Sequence, residues 1–244
     1  PTMRDDHIDL CGQVDFTRTT PLLGRDEEFS FACAGCGNCC RGREDIVLSG
    51  FDLWRIAARL RLPPRTVARG FCRGSIGQVS HLPVLRLAPV KEERNNCPFL
   101  TEDHCAIHDA EPLVCALYPL AQEITKEGNV SYFLQPTRCG GQVIEARVED
   151  YLARYDVPAR EQTDVLWATT CMKLEDTVEE LEALFEPVFI RRMREKLWQA
   201  LYYRYDWAKA YPPQLEENLA WLDTELKKLR QMQEKRKFIE KSDR

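Results

Sequence analysis

Four cysteines fall within eight residues, Cys33-Ala34-Gly35-Cys36-Gly37-Asn38-Cys39-Cys40, and four more follow at Cys97, Cys105, Cys115 and Cys139. Ionised thiols crowded this closely repel one another unless a cation neutralises them. A bound metal both deprotonates the thiols and offsets the repulsion. A C-x2-C step lets two sulfurs reach one metal from a tight turn, and Gly35 and Gly37 supply the positive-φ freedom that such a turn needs. Three ligands spaced C-x2-C-x2-C, with a distant Cys97-Pro98, also match the ferredoxin run that holds a [4Fe–4S] cluster. Neighbouring side chains such as Cys39 and Cys40 usually point in different directions, which suits one of them to each of two sites. Eight sulfurs therefore suit two four-thiolate sites or one polynuclear centre. Zinc would use the same sulfurs, and the ferredoxin-like spacing favours iron–sulfur slightly. A thiol redox centre with reversible disulfides at the vicinal pair is the competing reading. His104 and His108 flank Cys105 and are candidates for an extra ligand, a hydrogen-bond partner behind the ligands, or a general base. Cys11, Cys72 and Cys171 stand alone, as small buried hydrophobes do.

The rest of the composition is that of an ordinary globular chain: 244 residues, 44% hydrophobic, 30% charged, with Gly 12 and Pro 14. No run approaches the roughly 18 apolar residues of a membrane span, and the first residues carry no hydrophobic stretch of the secretory kind. The expected setting is a soluble protein of the reducing cytoplasm, which argues against a disulfide framework. A net charge of −5 argues against nucleic-acid binding by bulk phosphate attraction, and the expected partner is a protein.

The cysteine blocks and their neighbours resemble the CxxCxxCC zinc- or iron-chelating cysteine-cluster family, also called YkgJ-like. The matching residues are Phe31 to Cys40, then Ile46-Val47-Leu48-Ser49 with Asp52 and Arg55-Ile56-Ala57. They continue with Cys97-Pro98-Phe99-Leu100, Cys105-Ala106-Ile107-His108, Pro112-Leu113-Val114-Cys115 and Tyr118-Pro119. The resemblance covers roughly residues 29–141. It implies a metal site more firmly than a reaction, although the family includes proteins described as flagellin lysine N-methylases. Relatives usually carry Arg before the proline of the third block and Arg after its cysteine, where this chain has Glu111 and Ala116, and often Tyr at the position of His108.

The elements that must position these residues read as α+β: an arm over residues 1–28, a small irregular metal-stabilised domain over 29–141, and a mainly helical region over 142–244. Asp45 to Leu48 predicts a short strand, and Ser49 with Asp52 a capping box for a helix through Leu60. Pro63-Pro64 closes that helix and opens another, residues 76–90 predict a hairpin, and Tyr132 to Leu134 a further strand. So thin an apolar core would draw much of its folding free energy from ligated metal. From Val143 onward the pattern predicts helix, with Pro187 as a break. After Pro212-Pro213, Leu215, Leu219, Leu222, Leu226 and Leu229 form a heptad seam that predicts a long helix packed on its own neighbours. Trp198, Leu201, Tyr202 and Tyr205 share a helical face and predict core packing rather than a base-stacking platform. Residues 225–244 hold eight Lys or Arg against four acids, a net +4 that leaves −9 for residues 1–224.

No G-x-G-x-x-G, P-loop, H-E-x-x-H or C-x3-C-x2-C motif occurs, so the enzymatic alternative, a metal-dependent redox or protein-modifying activity, rests on the metal centre. Lysine N-methylation in particular rests on the family resemblance alone.

Overall fold

The computed structural model describes residues 21–32, 37–91, 95–102, 104–135 and 142–242. Within the cysteine-rich half, three small antiparallel sheets are held apart by short helices. β1 (Glu28–Ala32) pairs with β7 (Gln142–Arg147), in the register Glu28 to Arg147 and Phe29 to Ala146. β2 (Val47–Leu48), β3 (Cys72–Ile76) and β4 (Pro83–Leu87) form a sheet in the order β2-β4-β3; β3 and β4 make a hairpin, but its first strand ends at Ile76, where the expected residues 76–90 begin, and only β4 falls within them. β5 (Leu120–Ile124) pairs with β6 (Val130–Leu134).

The helix α1 (Gly50–Leu60) starts as the sequence predicts: Asp52 N–H donates to Ser49 Oγ and Ser49 N–H to Asp52 Oδ2, both at 2.9 Å. This reciprocal cap satisfies two donors that the first helical turn leaves without intrahelical partners. Arg61 then adopts φ 53 and ends the helix, and α2 (Pro64–Phe71) opens with Pro64 in its first turn. A one-turn helix, α3 (Leu113–Leu117), carries the last cysteine before β5.

The helical region consists of α4 (Val148–Arg154), α5 (Val157–Leu184), α6 (Pro187–Trp198), a π-helical turn over Gln199–Tyr203, and α7 (Tyr211–Ser242). Pro187 separates α5 from α6 as expected. Leu215, Leu222, Leu226 and Leu229 are buried against α6 and the π turn, which makes the heptad seam an internal packing face. Tyr202, Tyr205 and Tyr211 are buried in the same core. Residues 142–147 also depart from the sequence reading, forming strand rather than helix. The exposed backbone edge of β1 claims them, since pairing satisfies a row of donors and acceptors that a helical continuation would leave open. Among the described residues no helix is long and apolar enough to cross a membrane.

The main core joins both halves, with Leu48, Leu53, Ile56 and Leu85 packed against Trp167, Leu197, Leu201 and Tyr211. A second cluster gathers Phe29, Phe31, Leu117, Leu120 and Tyr132 around Tyr151 and Leu152. Helices of the C-terminal region therefore cover the thin core of the cysteine-rich half.

Candidate metal centre

The first cysteine segment enters through Gly37, whose φ of 65 lies in the left-handed region that glycine tolerates. A Cβ there would stand 2.8 Å from Arg41 Nη1, the far end of a flexible side chain that can move aside, so it is conformation that favours glycine. The turn Asn38–Cys40 closes with Cys40 N–H on the Gly37 carbonyl at 3.0 Å and sets Cys39 Sγ 3.9 Å from Cys40 Sγ.

The second segment is fastened to the first by backbone. Cys97 N–H donates to the Cys40 carbonyl at 2.8 Å, and Leu100 N–H returns to the Cys97 carbonyl at 3.0 Å. An antiparallel bridge between Leu100 and Cys105 then folds the loop back, with Ala106 N–H on the Phe99 carbonyl at 2.8 Å. Phe99 anchors the loop in the core, its ring 4.7 Å from that of Phe71.

The third segment is placed by α1. Asp52, already half of the capping box, accepts from Leu113 N–H at 3.0 Å through its other oxygen, and so fixes the start of the short helix that carries Cys115. Residues 52 and 113 are far apart in sequence, and one carboxylate caps both helices.

Burial, together with the contact between them, makes these thiols hard to ionise in the absence of a cation. The Cys40 thiol beside it and burial push Cys39 well above the ordinary thiol range. Burial raises Cys97, and raises Cys105 to about 11. Burial raises Cys115 well above the ordinary thiol range, and Glu111, Cys97, Cys39 and Cys105 all add to the effect. Four thiols from three separate segments thus feel one another's charge, and a thiophilic cation is the species that would reverse all of these penalties at once. The donor set fits a zinc or iron centre in its chemistry.

Its geometry is open. Among the described residues no three His, Cys, Asp or Glu side chains stand close enough to share one metal ion. Of the eight sequence-predicted ligands, Cys39, Cys40, Cys97, Cys105 and Cys115 are described, and Cys33, Cys36 and Cys139 lie outside the described residues, as does the isolated Cys11. Cys171 is buried in the helical core and Cys72 half-buried at the start of β3, both as expected for apolar packing.

The two histidines sit on the solvent side of the Cys105 loop. His104 Nδ1 meets Thr101 Oγ1 at 3.1 Å, and His108 Nδ1 pairs with Glu111 Oε2 at 3.2 Å while its ring remains 65% exposed. Beside Cys105 a cleft of about 540 Å³ opens between this loop and the end of α4. Arg55, Glu111, His104, Arg154 and Tyr155 line it. Arg55 donates to the carbonyls of Asp109 and Glu111 at 3.1 and 3.4 Å, and Glu111 has its carboxyl raised by burial against the pull of His108. The residue that joins this cleft to the core, Arg160, carried no motif at the sequence level; its placement is purely tertiary.

Residues 32–139 match a family model described as CxxCxxCC, "Putative zinc- or iron-chelating domain". This segment is similar to the CxxCxxCC domain. The match begins one residue before Cys33 and ends on Cys139, so it encloses all eight clustered cysteines and stops short of the helical region. Comparisons with curated proteins and with solved structures find no match. The description of the CxxCxxCC domain supports metal binding by the cysteine-rich half, with zinc and iron both within its scope. The strand β1 enters the matched segment only at Ala32 and its partner β7 begins after the segment ends, so the sheet they form lies almost wholly outside the match.

Proposed function

We propose that the cysteine-rich half holds a thiolate-ligated metal centre drawing on Cys33, Cys36, Cys39, Cys40, Cys97, Cys105, Cys115 and Cys139, as an iron–sulfur centre in preference to zinc. The observation that carries the reading is the convergence of Cys39, Cys97, Cys105 and Cys115, from three chain segments, within electrostatic reach of one another. Structural cysteines have no cause to collect in this way, because each would be better solvated or packed apart. The C-x2-C-x2-C run with Cys97-Pro98 favours a [4Fe–4S] cluster, and the sulfur count allows two four-thiolate sites or one polynuclear centre. A thiolate set supplies charge and orientation to the metal.

The deciding experiment is elemental and acid-labile sulfide analysis of protein purified without oxygen, with visible spectra before and after dithionite. Iron with stoichiometric sulfide and a bleachable brown chromophore supports the cluster; colourless protein with stoichiometric zinc overturns it in favour of a zinc site.

The cleft beside Cys105 favours a second reading, in which the centre is reactive and serves a redox or protein-modifying reaction. A closed four-thiolate site needs no access, whereas a reactive one does, and this cleft reaches one of the proposed ligands. Azide or cyanide added to the reduced centre distinguishes the two: a changed electron paramagnetic resonance spectrum supports an open coordination position, and an unchanged one a closed site.

A further inference from the structure

The chain-wide charge of −5 conceals a segment of opposite sign. Residues 53–91 contain no Asp or Glu and eight cations, seven of them arginine, in a chain with 39 acids. Arg55 and Arg59 turn toward the cleft and bond to the loop that carries Asp109. The others face elsewhere. Arg65 and Arg69 are exposed one turn apart on α2, and Arg73 is exposed at the start of β3, four residues further on.

Among the described residues, neither Arg65 nor Arg69 has a carboxylate within ion-pair distance, and Arg73 has one, Glu44 at 3.3 Å. Arg73 also lies directly across the β3–β4 ladder from Arg86, which bonds to Ser75 rather than to an acid. Like charges directly opposite on a sheet destabilise it, and burial and Arg73 both act against the charge of Arg86. Beside the arginines lies an aromatic stack. The rings of Trp198 and Tyr203 are 5.7 Å apart and near-parallel, and the Arg65 guanidinium stands 5.8 Å from the Tyr203 ring centre. Trp198 is seated on Gly74, where a Cβ would come within 2.6 Å of the indole, so this stack is fixed to the same strand as Arg73.

We propose that the face made by α2, the start of β3 and the π-helical turn binds single-stranded nucleic acid through its phosphates, with Arg65, Arg69 and Arg73 as the contacts. A repeated polyanion suits a row of cations: Arg65 and Arg69 stand one turn apart on α2, a rise of about 6 Å, and Arg73 follows just past the end of that helix on β3. Arginine rather than lysine suits phosphate, because its planar fork binds two oxygens and is weakly hydrated. A cationic track edged by aromatic rings is the combination that single strands use. The expectation drawn from net charge does not reach this face, because an average over the chain does not describe a local field.

The test is fluorescence anisotropy of a labelled 15-nucleotide oligouridylate with the full-length, metal-loaded protein. The expected result is saturable binding whose affinity falls with salt at a log–log slope of about −2, from three phosphate contacts on a single strand. Arg65→Gln/Arg69→Gln/Arg73→Gln should weaken binding by at least about tenfold, with metal content and thermal melt unchanged. Removing three cations elsewhere, by Lys173→Gln/Arg191→Gln/Lys237→Gln, should leave it within about twofold. No binding, or equal loss in both variants, overturns the proposal. Displacement of the oligonucleotide by polyglutamate at equal charge concentration also overturns it and assigns the face to an acidic protein segment.

Discussion

Arg160 on α5 reaches back across the molecule to Asp52 on α1, its Nη2 donating to Asp52 Oδ1 at 2.5 Å. The same guanidinium holds Asp164 through Nε and Nη2 at 2.6 and 2.9 Å, and all three side chains are buried. Asp52 is therefore bonded at once to its own helix cap, to the helix that carries Cys115, and to the C-terminal region. Removing a partner from a buried pair strands the remaining charges and costs about 3–5 kcal/mol. Arg160→Ala should lose about that much in chemical denaturation. It should also loosen the placement of Cys115, measured as faster metal loss to a chelator. A variant with unchanged midpoint and unchanged metal release would show that the triad carries no such weight.

Two carboxylates share one guanidinium, so the triad holds a net negative charge away from water. Burial, and Asp52 beside it, raise the Asp164 carboxyl from its ordinary 3.8 to about 6 despite the bonds from Arg160. A carboxyl raised on folding binds its proton more tightly in the native state. Its contribution to stability is thus fully present below about pH 4 and is lost as pH rises through 6. Taken alone the shift is worth up to about 3 kcal/mol. Unfolding measured between pH 4 and 7 should show this fall, and Asp164→Asn should flatten it. An equally steep profile in the variant would assign the slope to other groups.

At Gly50, the first residue of α1, the cysteine-rich half packs closely on the helical region. An added Cβ would meet the Leu201 carbonyl of the π turn, stand 2.5 Å from the Trp167 ring and 2.7 Å from the Tyr211 hydroxyl. Those neighbours are backbone and buried rings, which have nowhere to move. Gly50→Ala should therefore destabilise by about 1–3 kcal/mol or more through overpacking, although alanine is the better helix former. A melt at or above the parent's would mean that the two regions separate more readily than this packing implies.

How much of this could be read beforehand depends on the range of each interaction. The Ser49–Asp52 cap, the break at Pro63-Pro64 and the seam from Leu215 to Leu229 are set by residues a few positions apart, and each lies where the sequence places it. Clustered cysteines reveal a metal-binding segment for the same reason. The strand at 142–147 reads as helix in the sequence because Val143, Ala146 and Val148 suit a helical face, and only β1, more than a hundred residues earlier, decides otherwise. Arg160 and Asp164 form an ordinary i,i+4 pair until α1 is packed against them; nothing local marks them as buried. The cleft beside Cys105 needs the end of α4 as its far wall, and it too is invisible in one dimension.

The assignment of the cysteines themselves makes the sharpest contrast. Cys105 and Cys171 are both thiols raised by burial, yet they differ in company. Cys105 lies near Cys97, Cys39 and Glu111, while Cys171 is packed in the helical core with Glu175 as its only charged neighbour among those that shift it. If the first belongs to the metal centre and the second to the core, Cys105→Ser should lower metal per chain and destabilise the cysteine-rich half. A small buried residue replaced by a polar one of similar size should cost Cys171→Ser about 1–3 kcal/mol through an unsatisfied hydroxyl and leave metal content at the parent value. Metal analysis of both variants beside their melts separates the two effects, because instability alone would deplete metal in each. Full metal retention in Cys105→Ser would remove that residue from the ligand set, whereas metal loss confined to it would tie the loop from Cys97 to Cys105 to the centre.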